Sequence, residues 1–252
     1  MKKSICFLVK FFKEEAHAQQ FIRGNLYLNR LSYFKKNGDE DTDEDGRPDE
    51  YEAISHLFQP KEIEISIIVP ELNHNYKITD DDLASPAVYF SNTRHQNYHV
   101  YCMTAMNAYC CDSPDKKLEP KEIESVFREQ LKVNEGCIKK LGSYAVILPA
   151  KQFLERAKIA LQSRGEYFNG KLVDYYYDEN KFHGEIEENE IPFNKRKKFS
   201  YQNEYRIILD TKTAGENPIT INIGSLEDIS SKVVTPTDII KFMADLKIID
   251  LP

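Results

Sequence analysis

Apolar and polar positions along this chain alternate with a period of two more often than they recur every 3.6 residues, so strands are expected to outnumber helices. ICFLVKFF (5–12) is apolar and β-prone, and KEEAHAQQFIRG after it starts acidic and stops at Gly24, which predicts a strand and then a short helix. NLYLNRLSYF predicts a second strand and a turn, with Tyr27 and Leu28 in the strand. From Lys35 to Asp49 the chain is polar and acidic with Gly38, Gly46 and Pro48, the makings of a loop, and a short helix is expected from about Glu50 to Phe58. KEIEISIIVP (61–70), PAVYFSN (86–92) and YHVYCMTAM (98–106) read as strands, the last two separated by the turn-like TRHQ.

EPKEIESVFREQLKV carries Pro120 at a helix start and Ile123, Val126, Phe127 and Leu131 on one face. GSYAVILP (142–149) reads as a buried strand, and AKQFLERAKIALQSRG sets Phe153, Ala157, Ala160 and Leu161 on one helical stripe before Gly165. KLVDYYYD (171–178), NEYRIILD (203–210) and PITINIG (218–224) predict further strands, followed by a helix from Thr235-Pro236 to about Leu246. No regular βα alternation, internal repeat or low-complexity linker is present. The expectation is one α+β domain over residues 1–252, built on mixed or antiparallel sheets.

Composition narrows the function classes. The net charge of −7 argues against a protein that coats nucleic acid nonspecifically, though it leaves room for a local basic groove. Five cysteines, an odd number with no C-x-x-C pair, argue against structural zinc and suit a reducing compartment. No apolar run is long enough to span a bilayer, and the opening MKKSICFLVKFFKEE lacks a small-residue cleavage site, so a cytoplasmic location is expected.

Two stretches carry candidate chemistry. DTDEDGRPDEYE places Asp41, Asp43, Asp45, Gly46 and Glu52 at the ligand spacing of an EF-hand calcium loop. Against a calcium site, Pro48 stands where such loops pair through a backbone donor, the preceding segment is not a long helix and no second loop exists; an acidic solvated loop is the competing reading. NKRKKFSYQNEYRIIL brings four consecutive cations, Lys195, Arg196, Lys197 and Lys198, before Gln202-x-Glu204 at the mouth of a strand. A carboxylate there suits stabilisation of a developing cation beside a phosphate-holding loop. The competing reading is a solvated charge run, with Glu204 and Arg206 paired on an outer strand face. The histidines show no metal-ligand spacing, Ser91 lacks a nucleophile elbow, and neither a Walker loop nor G-x-G-x-x-G occurs.

Gln202-x-Glu204 at the start of a late strand resembles the turn-turn loop of ADP-ribosyltransferases. FIRGNLYLNRLSYF, RPDEYEAI, VYFSN, HVYCM, FSYQNEYRIIL and ITINIGSLEDI, from about Phe21 to Ile229, resemble in order a bacterial family of phage-defence and toxin–antitoxin proteins with an ADP-ribosyltransferase-like fold. In that pattern Asp49 and Glu52 form a D-x-x-E segment, so Glu52 belongs to it and not to a calcium loop. The resemblance implies a split-sheet core, NAD as co-substrate, Glu204 as the catalytic carboxylate and Gln202 on the acceptor side. It further implies Tyr27 stacked on nicotinamide, with Ser91 and either Lys10 or Arg23 toward the cofactor, since many such enzymes carry Arg or His on the first strand and FLVKFF offers only Lys10. Lys195–Lys198 would face an acceptor, single-stranded RNA before protein, and an antitoxin or other restraining protein would be a partner. The alternative from another class is a non-enzymatic binding or regulatory module, linked to calcium through residues 41–52.

Overall fold

The computed structural model describes residues 3–35, 49, 51–58, 65–72, 74–79, 82, 88–109, 120–176, 186–235, 237–239 and 241. In chain order the elements are β1 (Lys3–Phe12), α1 (Glu15–Ile22), β2 (Asn25–Arg30), β3 (Ile54–Phe58), β4 (Ile65–Val69), β5 (His74–Ile78), β6 (Val88–Ser91), α2 (Thr93–Gln96) and β7 (His99–Tyr109). They continue with α3 (Pro120–Gln130), α4 (Glu135–Lys140), β8 (Tyr144–Pro149), α5 (Ala150–Ser163), β9 (Tyr167–Leu172), β10 (Asp174–Tyr176), β11 (Asn194–Arg196), β12 (Glu204–Asp210) and β13 (Ile219–Asn222). The α+β class follows from the alternating runs, and the main sheet is antiparallel and curled. Its seven strands run β13-β2-β7-β1-β8, with β12 joining β7 to β9. The one parallel pairing among the described residues is β10 with β11, in a separate two-stranded sheet.

β7 is the spine, and its two edges are used differently. β2 and β12 both pair with His99 and Val100, so they occupy opposite edges. The Ala105 amide donates to the Asn203 carbonyl, which turns the Ala105 backbone toward β12. Backbone groups alternate along a strand, so Val100, Cys102 and Thr104 turn theirs to the other edge. There β2 takes Val100 and β1 takes Thr104, while β1 runs on to Phe12 paired with β8. Between them the Cys102 carbonyl has no strand partner among the described residues and instead accepts a 2.7 Å hydrogen bond from Lys10 Nζ. β1 and β2 therefore diverge along one edge of β7, and a cleft opens where they part.

One face of the sheet carries the larger core. Met103, Ala105, Ile207 and Leu209 meet Phe21 of α1 and Phe153, Ala157 and Leu161 of α5. Period-two alternation in β7 and β12 sends Cys102, Thr104, Glu204 and Arg206 to the opposite face. No helix among the described residues is long and apolar enough to cross a membrane.

Several local expectations need correction. Residues 51–53 form a turn and 54–58 a strand where a helix over 50–58 is expected. Ala53 adopts φ +57, which ends any helix there, and β3 pairs with β6 across His56–Phe90 and Leu57–Tyr89. TRHQ is a single helical turn, capped by the Asn92 side chain accepting from the Arg94 amide. The 171–178 strand is broken at Val173, whose amide donates to the Glu204 carbonyl. Of the helix expected over 235–246, residues 235, 237–239 and 241 are described; 237–239 and 241 are helical and Thr235 lies outside the helix.

Gly24, which ends α1, has φ +88, and a Cβ there would lie 1.9 Å from the Gly224 carbonyl oxygen; Gly165, after α5, has φ +73 with open space around it. Gly165→Ala is expected to cost about 1 kcal/mol from the left-handed backbone alone. Gly24→Ala should cost clearly more, about 3 kcal/mol, because backbone must also move. Urea unfolding midpoints of the two variants check this ordering.

Candidate functional site

The parting of β1 and β2 creates a cleft of about 620 Å³. Lys10, Lys13 and His17 line one wall, and Asn25, Tyr27 and Thr220 the other. Its floor includes Cys102, Lys195, Gln202, Glu204 and Arg206. Glu204 reaches the floor because Asn203, with φ +40, turns the chain from the 3-10 turn Lys197–Gln202 into β12. The Glu204 amide donates to the Tyr175 hydroxyl at 2.9 Å, which ties the strand mouth to β10.

Behind the floor lies a buried cluster of alternating charge. Arg206 Nε donates to Glu204 Oε1 and its Nη1 to Glu52 Oε1, each at 2.6 Å. Lys195 Nζ stands 3.0 Å from Gln202 Oε1, 3.4 Å from Glu204 Oε2 and 3.8 Å from Glu52 Oε2. Arg196 Nε donates to Asp49 Oδ1 at 2.6 Å. Glu52 Oε2 makes no hydrogen bond.

Electrostatics separates the two carboxylates that share Arg206. Burial pushes Glu204 up, but the Arg206 guanidinium and the Lys195 ammonium outweigh it and hold its carboxyl well below the usual range. Burial also pushes Glu52 up; the same two cations offset it incompletely, so Glu52 titrates above an ordinary glutamate. For Lys195, burial is outweighed by Glu204 and then Glu52, and the ammonium holds its proton more tightly than a free lysine.

The expected site residues divide by position. Glu204, Gln202, Lys195, Tyr27 and Lys10 meet at the cleft. Arg23, at the C-terminal end of α1, and Ser91, which accepts from Lys35 and Gln96, do not line it. The cation run is not one solvated patch: Lys195 and Arg196 are 3% and 5% exposed, whereas Lys197 and Lys198 face solvent. Glu204 and Arg206 do pair, but inside the protein and not on an outer strand face. Asp41, Asp43 and Asp45 lie outside the described residues, and Glu52 is fully buried with Oε1 spent on Arg206. Sequence reasoning missed Cys102 and gave Arg206 no site role. The E-x-R spacing was the available signal, since positions two apart on a strand share a face.

With this geometry in view, the chain was compared with protein-family models, curated proteins and solved structures, and none matches it.

Cys102 lies beside Glu204, and burial followed by that carboxylate pushes its thiol up to about 12. Cys137, pushed up by burial to about 11, donates to the Tyr201 carbonyl. Such values leave about a thousandth or less of either group as thiolate at about pH 8. Iodoacetamide should therefore spare Cys102 and Cys137 in the folded protein and label both in urea, read by peptide mass mapping.

Proposed function

We propose that the chain is a mono-ADP-ribosyltransferase that takes NAD into the cleft between β1 and β2. The observation that carries this reading is the position of Glu204, at the floor of a nucleotide-sized cleft beside Gln202 and between Arg206 and Lys195, two cations that favour its anionic form. The reaction needs an anion where positive charge develops. Nicotinamide leaves with the bonding electron pair, the ribose C1′ becomes cationic, and Glu204 stabilises it while accepting a hydrogen bond from a ribose hydroxyl. The acceptor then attacks C1′ with a lone pair and loses its proton. Tyr27, 57% exposed on the cleft wall, offers a ring face to nicotinamide, and Lys10 and Lys13 line the opposite wall.

The acceptor in this reading is single-stranded RNA, met by the solvent-facing Lys197 and Lys198 next to the site. Lys195 and Arg196 serve the internal cluster and not the acceptor. The ADP-ribosyltransferase-like core, a role as an intracellular toxin or anti-phage effector and control by an antitoxin belong to the same proposal. One observation favours a second reading, a binding module without chemistry: both Glu204 oxygens already meet cations of the protein, as in a purely structural ion-pair cluster.

Labelled NAD incubated with separate pools of RNA, DNA and protein decides between them. Glutamine is the informative replacement at Glu204, because its amide oxygen can still accept from Arg206 Nε while the charge is lost, whereas alanine leaves that donor without its partner. Wild type should move label into RNA and Glu204→Gln should lose about 100-fold or more in rate with circular dichroism unchanged. NAD bound but left intact by the folded wild type favours the binding module.

A further inference from the structure

Glu52 is fully buried and does not line the cleft, yet it pairs with Lys195 and Arg206, the two cations of the cleft floor. Counted at the floor, Arg206 and Lys195 oppose Glu204 and Glu52, two charges of each sign. Arg196 and Asp49 form their own pair to one side. If Glu52 were neutral, two cations would share the single carboxylate of Glu204, and the floor would carry net positive charge. That field opposes a developing cation and attracts anions.

We propose that Glu52 is a positioning residue that, by neutralising one of the two cations behind the floor, leaves Glu204 able to act as an anion toward the cleft. This rests on the transferase reading above. The 51–53 turn and Asp49 are thereby part of the site although no substrate reaches them: the Glu52 amide donates to the Asp49 carbonyl and the Asp49 amide to the Phe34 carbonyl, and Phe34 lines the cleft. Glutamine at position 52 preserves an acceptor for Arg206 while removing the charge. Protonation of Glu52 has the same effect, and burial raises its pKa, so the comparison belongs toward the alkaline end of the range in which the protein stays folded. The charged groups facing Glu52 are Arg206, Lys195, Asp49 and Lys35, with Glu204 across Arg206.

The test uses wild type, Glu52→Gln and the double variant Glu52→Gln/Lys195→Met, which restores one cation to one carboxylate. For NAD cleavage, kcat should fall about 100-fold in Glu52→Gln with KM for NAD unchanged or lower, and the double variant should recover at least about tenfold. Thermal unfolding gives a reading that needs no turnover: the melting temperature should drop in Glu52→Gln and rise again in the double variant. Wild-type kcat in Glu52→Gln, or a loss that Lys195→Met does not repair in either readout, overturns the proposal. A wild type that leaves NAD uncleaved while the melting temperatures follow the predicted pattern overturns the transferase reading and leaves the charge balance standing.

Discussion

The Arg206 guanidinium, shared between Glu204 and Glu52, is the contact on which the site depends. Arginine cannot shed its proton to escape burial, so a guanidinium that is 1% exposed must be answered by carboxylates with matching geometry. Its third bond goes to the Pro192 carbonyl, so one side chain fastens β12, the 51–53 turn and the segment leading into β11. Such clusters add little net stability over an apolar replacement, but removing one partner costs about 3–5 kcal/mol. What the cluster fixes is arrangement: it sets where the strand mouth lies and which carboxylate meets the cleft.

The second constraint is the divided edge of β7. A single strand serving β1 at one end and β2 at the other leaves a peptide group between them in need of a partner, and Lys10 supplies it. That bond also directs Lys10 across the Tyr101 ring, 4.4 Å from its centroid. The cleft is thus a product of strand pairing; Cys102, Glu204 and Arg206 of its floor come from the face of β7 and β12 opposite the larger apolar core, and Lys195 and Gln202 from β11 and the 3-10 turn before β12.

Much of this was legible in the chain. The strands over ICFLVKFF and NEYRIILD follow from apolar, β-prone runs, and the helix carrying Phe153, Ala157 and Leu161 from a 3.6-residue periodicity that reports burial of one face. The 51–58 segment was not legible, because its strand exists through pairing with β6 and its turn is held by Arg206, which lies 154 positions from Glu52. The Lys195–Lys198 run was misleading for a related reason: a basic tetrad reads as solvated unless the carboxylates that bury its first two members are known, and Asp49 and Glu52 sit in a distant acidic stretch. Glu204 and Tyr27 reach the cleft from strand positions and Gln202 from the 3-10 turn before β12, whereas Ser91 belongs to β6, outside the seven-stranded sheet.

The span of these contacts has a consequence for synthesis. Asp49 meets Arg196 across 147 residues and Glu52 meets Arg206 across 154, so the cluster closes through some of the longest loops in the fold. Closure over such distances is slow compared with hairpin formation. On a ribosome the acidic half emerges first and waits, solvated and unpaired, until the basic half and β12 are released. Until then β7 has no neighbour on its β12 edge and the cleft has no carboxylate floor, so the cleft is completed only when nearly all of the described residues have been made.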